Sequence, residues 1–94
     1  FEGDLPLIVT VSRDGDYFID YDEYQREAVD PQRLMTLTTA IKTRAPGVNV
    51  LVRGDRATQY GAVVEVMAQL QNAGIDKVGL LTEPPDIVES TSGN

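Results

Sequence analysis

Five acids lie close together near the start of this chain, Asp14, Asp16, Asp20, Asp22 and Glu23, and such an oxygen-rich cluster could in principle hold calcium. A calcium loop of the EF-hand kind needs carboxylates or amides at alternate positions before its glycine and a bidentate glutamate six residues after it. With Gly15 as that glycine, Thr10 and Ser12 stand where carboxylates belong and Tyr21 where the glutamate belongs. The cluster therefore reads as a hairpin turn with a solvated strand face. A further acid, Asp55, is flanked by Arg53 and Arg56 and invites comparison with a tuned catalytic carboxylate. General acid–base work needs a second matched group or a nucleophile in reach, and the chain has no histidine, no cysteine and no Gly-x-Ser-x-Gly element. Asp55 is expected instead to hydrogen-bond backbone at a strand-to-helix turn. Arg53-Gly54-Asp55 also spells an adhesion tripeptide, a spelling common by chance and placed here at a strand terminus.

The remaining chemistry-bearing types are equally reticent. Glycines 54, 61, 74 and 79 never form the Gly-x-Gly-x-x-Gly spacing of a dinucleotide site. Tyr17, Tyr21, Tyr24 and Tyr60 could stack on a sugar, but tyrosines at these spacings more commonly fill a half-buried sheet or helix face. Without cysteine there is neither a disulfide framework nor a thiolate metal site, which is compatible with an oxidising compartment and does not require one. The net charge is −7, concentrated in residues 1–30, where nine acids face only Arg13 and Arg26. So acidic a chain, without clustered Lys and Arg or aromatic-rich strand motifs, is a poor nucleic-acid binder and a poor match for a bare anionic membrane. These residues predict no enzyme, no cofactor and no metal.

The elements that position these residues are marked in the sequence. Leu7–Val11 is β-branched and apolar, Arg13-Asp14-Gly15-Asp16 predicts a tight turn with both central residues at positive φ, and Tyr17–Tyr21 is the return strand. A third short strand is expected at Tyr24 to Ala28. Asp30-Pro31 opens a helix with Leu34, Leu37, Thr38, Ile41 and Ala45 on its buried face, ended by Ala45-Pro46-Gly47. Val50 to Arg53 is the next strand, and Asp55 to Thr58 supplies turn and N-cap residues. A second helix then carries Tyr60, Val63, Val64, Met67 and Leu70 as its apolar stripe and stops at Gly74. Val78, Leu80 and Leu81 begin a last strand, halted by Glu83-Pro84-Pro85.

The order is thus β-β-(β)-α-β-α-β, an α+β fold in which right-handed crossovers put both helices on one face of a mixed β-sheet. Ninety-four residues make one domain, expected over 5–84, with 1–4 a flexible entry and 85–94 a flexible acidic tail. The chain begins at Phe1 and contains no apolar run approaching a membrane span, so an excised fragment is expected. An open sheet leaves at least one unpaired edge, available to another copy or to a partner peptide. The apolar strands expected to border such partners supply Leu7, Ile8, Val9 and Val11 from the first strand and Val78, Leu80 and Thr82 from the last.

The stretch from Arg53 to Pro84 resembles the periplasmic domain of the TolR/ExbD family. The resemblance rests on Asp55 beside Arg56, Tyr60, Val66-Met67, Leu70, Ala73-Gly74, Lys77-Val78-Gly79-Leu80 and Thr82. Gln71-Asn72-Ala73-Gly74 and Leu81-Thr82-Glu83-Pro84 lean toward the TolR branch, with Arg53, Asp55 and Tyr60 as the motif turn. The resemblance is specific in residues only from Arg53 onward and extends to Leu7 in element order.

What it implies is the periplasmic part of a single-pass inner-membrane protein in a motor driven by the proton-motive force, with a membrane anchor and its ionisable carboxylate upstream of Phe1. A homodimer, a TolQ-like channel, a TolA-like transducer and peptidoglycan are the implied contacts, in the service of outer-membrane maintenance. The alternative within the family is an ExbD-like role with ExbB-like and TonB-like partners, energising import. A rival of another class is a ferredoxin-like regulatory domain holding a small molecule, which would need a convergent polar pocket; the Arg13–Asp16 turn is its only candidate, and it is acidic.

Overall fold

The computed structural model describes residues 5–55 and 57–81. The expected flexible ends, 1–4 and 85–94, lie outside the described residues, as do Arg56, Thr82 and the Glu83-Pro84-Pro85 stop. The elements run β1 (Leu7–Val11), β2 (Tyr17–Tyr21), β3 (Tyr24–Val29), α1 (Pro31–Arg44), β4 (Val50–Gly54), α2 (Tyr60–Asn72) and β5 (Val78–Leu80). This is the expected α+β order, including the third strand. The strands form one mixed sheet, β3-β2-β1-β4-β5, in which β1 pairs antiparallel with β2 and parallel with β4.

Alternation divides each strand between two faces. Leu7, Val9 and Val11 of β1, Ile19 of β2 and Val50 and Val52 of β4 are all but fully buried and form one core with Leu34 and Ile41 of α1 and Val63, Val66 and Leu70 of α2. Both helices therefore cover the same face. Their ends follow local rules. Asp30 caps α1, its carboxylate accepting from Arg33 N–H at 2.7 Å, with Pro31 at the first helical position. Lys42 Nζ donates to the carbonyls of Pro46 and Val48 where the helix ends. Past α2, Gly74 takes φ +101, its N–H donates to Gln71 O and that of Ile75 to Leu70 O. These two bonds, with buried Ile75 against Leu70, make a Schellman stop.

Three expectations need correction. The buried stripe of α2 is Val63, Val66 and Leu70, flanked by half-buried Met67, while Tyr60 and Val64 are 68% and 42% exposed. The sequence stripe is rotated because a one-sided apolar pattern does not say which of its borders meets the sheet. The β1–β2 turn has positive φ only at Gly15; Gly15 N–H donates to Ser12 O, and Ser12 Oγ accepts from the N–H groups of Asp14 and Asp16. It is thus a longer turn organised by Ser12 rather than a two-residue Asp-Gly turn. Finally, the N-cap of α2 is Gln59, without a side-chain bond, and not a residue of the Asp55–Thr58 turn; Thr58 Oγ1 is engaged in donating to Val11 O at 2.7 Å.

Leu70→Ala should cost about 2–5 kcal/mol, as large-to-small core changes do, whereas Glu65→Ala on the exposed side of α2 should change stability by less than about 0.5 kcal/mol. Urea unfolding of both variants checks this; equal losses would contradict the helix phase.

Candidate functional site

Among the described residues only β3 and β5 have an unpaired side, since β2, β1 and β4 are each paired on both sides. The expectation that Leu7–Val11 borders a partner through an unpaired edge is therefore corrected. Ile8 stands opposite Asp20 on one side and Leu51 on the other, and Val9 opposite Ile19 and Val52. An apolar strand in a one-helix-layer sheet is apolar because it is central, and the same composition would suit an edge only if a partner covered it. Leu7, Val9 and Val11 are core residues.

The two true edges differ in character. Along β3 the pairing with β2 is irregular between Ile19 and Tyr21, and Arg26 has φ +50. Asp20 Oδ1 accepts from Arg26 N–H at 2.8 Å and holds this kink. The Arg26 guanidinium lies 4.6 Å from the centre of the Phe18 ring and 3.8 Å from the Asp55 carboxylate, while Arg33 reaches Glu27 at 3.6 Å. A bulge, a positive φ and charged side chains are the devices that make an edge a poor template for another strand.

The β5 edge has none of these. Val78, Gly79 and Leu80 carry no charge, and Val78 and Gly79 stand opposite Val50 and Leu51 of β4. Leu81 N–H donates to Val52 O at 2.9 Å. Because successive residues of a strand aim their backbone groups to opposite sides, the N–H and C=O of Leu80 point away from β4, to the open edge. The Leu80 side chain is 40% exposed on the helix-covered face. On α2, Tyr60, Val64 and Met67 follow one another at helical spacing on the opposite flank from Gln69 and Ala73, which face α1 across a shallow groove. The free backbone of β5 is thus bordered by exposed apolar side chains.

The motif turn lies at the end of β4, and its contacts run toward β1 and β3, away from β5. Arg53 Nε donates to Thr10 Oγ1 at 3.0 Å across the helix-free face, and Asp55 N–H donates to Val11 O. As expected, Asp55 bonds backbone at the helix entrance, its carbonyl accepting from Thr58 N–H at 3.0 Å, while its carboxylate meets Arg26 at 3.8 Å. Tyr60, the first residue of α2, is the most exposed of the large apolar residues among those described. Of the other expected edge residues, Val78 and Leu80 lie on β5 and Thr82 is outside the described residues.

The acid cluster does not converge: among the described residues no three of His, Cys, Asp and Glu gather to hold a metal ion. Asp20 is instead a structural acceptor, a role missed in the sequence because its partner, Arg26, lies beyond a turn. The groove between the start of α1 and the end of α2, about 460 Å³, is lined by Pro31, Gln32, Met35, Gln69, Asn72 and Ala73, so its polar groups are amides. The Tyr17 hydroxyl is raised above its usual value, by burial first and by the Glu65 carboxylate second.

Two outcomes test this geometry. Asp20→Ala should lower stability by about 1–2 kcal/mol, because a bonded backbone N–H loses its acceptor, while Asp14→Ala stays within about 0.5 kcal/mol of the parent. Because native Tyr17 holds its proton more tightly than the unfolded chain does, its contribution is complete below pH of about 10 and declines above that. Glu65→Gln should bring the Tyr17 titration down part of the way, read by ultraviolet absorbance; an unchanged midpoint would remove Glu65 as a cause.

Comparison with known proteins places these features in context. The family described as "Biopolymer transport protein ExbD/TolR" matches residues 2–85. The Tol-Pal system protein TolR of Pseudomonas aeruginosa is 38% identical over 85 residues, covering 84% of this chain and 58% of that protein. The biopolymer transport protein ExbD of the same organism is 31% identical over 77 residues, covering 82% and 54%. The TolR of Escherichia coli K12 is 27% identical over 79 residues, covering 84% and 56%. The chain thus spans a little over half the length of the curated relatives it matches.

Proposed function

The chain belongs to the ExbD/TolR family, and on that premise we propose that it is a non-enzymatic, TolR-like periplasmic domain that works by strand pairing at the β5 edge. The observation that carries the mechanism is the contrast between a β3 edge kinked and charged at Arg26 and a β5 edge that is regular, uncharged and flanked by Leu80, Tyr60, Val64 and Met67. The TolR branch is favoured over the ExbD branch by the higher identity to a TolR and by the Gln71–Gly74 wording.

On this reading the domain forms a homodimer and serves a proton-driven motor in the Tol-Pal system beside a TolQ-like channel and a TolA-like transducer. Its anchor lies in the inner membrane, and peptidoglycan is a further contact. With an ExbD-like role the partners become ExbB-like and TonB-like. In either case affinity comes chiefly from backbone hydrogen bonds at Leu80 and from apolar side chains laid on the α2 flank, so it varies little with salt.

Proline separates the edge from the centre. Leu80→Pro deletes an N–H that points outward and leaves the ladder to β4 intact, so the domain should stay folded by circular dichroism while self-association and binding of a TolA-like peptide are lost. Val9→Pro, in the central strand, should unfold the domain. A Leu80→Pro variant that dimerises and binds normally would rule out the β5 edge.

A further inference from the structure

The residues of β1, β2 and β4 that turn away from the helices line the other side of the sheet in cross-strand rows. One row runs Asp20, Ile8, Leu51 and Gly79. The next runs Ala28, Phe18, Thr10 and Arg53, with Leu81 following one residue beyond the Val52 to Leu80 pair. Ile8, Phe18, Leu51 and Leu81 are only half-buried, and both described helices pack on the opposite face. An apolar strip of this kind on an open sheet face marks a place for a cover.

We propose that the cover is the chain's own C-terminal segment, 82–94, folded back in cis across the helix-free face, with Ile87-Val88 over Ile8, Leu51 and Phe18 and Glu83 beside Arg53. The segment lies outside the described residues and starts from Leu81, which is still held to β4 by its bond to Val52 O. By alternation Leu81 projects on the helix-free face beside Arg53, so the point of departure is already on that side. Pro84 and Pro85 carry no N–H and cannot prolong the ladder, so the chain leaves the line of β5 there. Two ways are open to it, over α2 or over the helix-free face, and charge chooses between them. The segment holds Glu83, Asp86 and Glu89 and no base. Across Tyr60–Asn72, α2 offers Glu65 and no Lys or Arg. The helix-free face carries Arg53 and Arg26, and its acids Asp20 and Asp55 are engaged by Arg26.

Reach and side-chain placement agree with this path. Ile87 is six residues on from Leu81, about 20 Å of extended chain. The three strand spacings from β5 to β2 amount to about 14 Å, so Ile87 reaches as far as Phe18 with slack over Leu51 and Ile8. Of two adjacent residues in an extended chain one faces the sheet, so an apolar pair always presents a side chain to it. Tethering gives the segment an effective concentration on the order of 1 mM, enough to populate in cis a contact too weak to hold a free peptide. The face is thereby withheld from partners until the segment is displaced, whatever pairs with β5.

The chain has no cysteine, so Ser90→Cys accepts a single nitroxide label, and paramagnetic broadening of the NMR spectrum of the full chain reads where the segment lies. Expected is loss of the Ile8, Phe18 and Leu51 amide signals, restored when the label is reduced, with the outer residues of α1 and α2 spared. Ile87→Ser together with Val88→Ser should return those signals with the label still oxidised. When the label is carried on chain of natural isotope abundance and the spectrum is read from enriched chain without it, Ile8, Phe18 and Leu51 should stay sharp, because the contact is in cis. Broadening confined to Val78–Leu81, broadening strongest along α2, broadening that survives the double substitution, or broadening that passes between copies would each overturn the proposal.

Discussion

The placement of β1 at the centre of the sheet is the constraint from which the rest follows. Leu7, Val9 and Val11 are buried under both helices, and the backbone of the same strand is engaged by β2 on one side and β4 on the other. A strand used so completely has nothing left to offer a partner. Its two neighbours are occupied in turn, and the open backbone is displaced to β3 and β5. A five-stranded mixed sheet with one helical layer can close neither edge, so it must guard one or use it. The Asp20–Arg26 bond and the Arg26 guanidinium over Phe18 guard the first. The second is left regular, uncharged and apolar on its flank.

The helix-free face shows how a single layer is sealed without a second set of helices. Thr10 is fully buried there although no described helix covers it, because Arg53 and its neighbours lie across it. Arg26 spans from β3 over Phe18 toward Asp55, so cations with long apolar stems do part of the work of a second helical layer. Two carboxylates, Asp20 and Asp55, thereby hold structure, the first through the Arg26 N–H and the second through the Arg26 guanidinium.

Much of this was legible in the sequence, and for identifiable reasons. Asp30-Pro31 and Gly74 marked helix ends because capping chemistry is local, and the element order followed from punctuation by Gly and Pro. The resemblance from Arg53 onward also named the family that the comparisons support. What stayed hidden was non-local. Strand order depends on which apolar strand finds two neighbours, and Leu7–Val11 reads the same at a centre or an edge. The rotation of α2, which leaves Tyr60 exposed and buries Val66, depends on where the sheet lies. Asp20 could not be told from its solvated neighbours until the chain turned at Asp22 and brought Arg26 N–H to it. Hidden too was the Leu51 side chain, whose Cδ2 would stand 2.8 Å from a Cβ at Gly79.

The central claim is that β5 is the strand through which this domain meets other chains. Amide hydrogen exchange at two protein concentrations tests it most directly, because it reads each backbone N–H separately and needs no substitution. If the claim is right, the Leu80 amide exchanges freely in dilute solution and becomes protected as the chain self-associates, while the amides of β3 keep the same rates. Self-association seen by sedimentation with the Leu80 amide still exchanging freely, or with new protection along β3 instead, would contradict it.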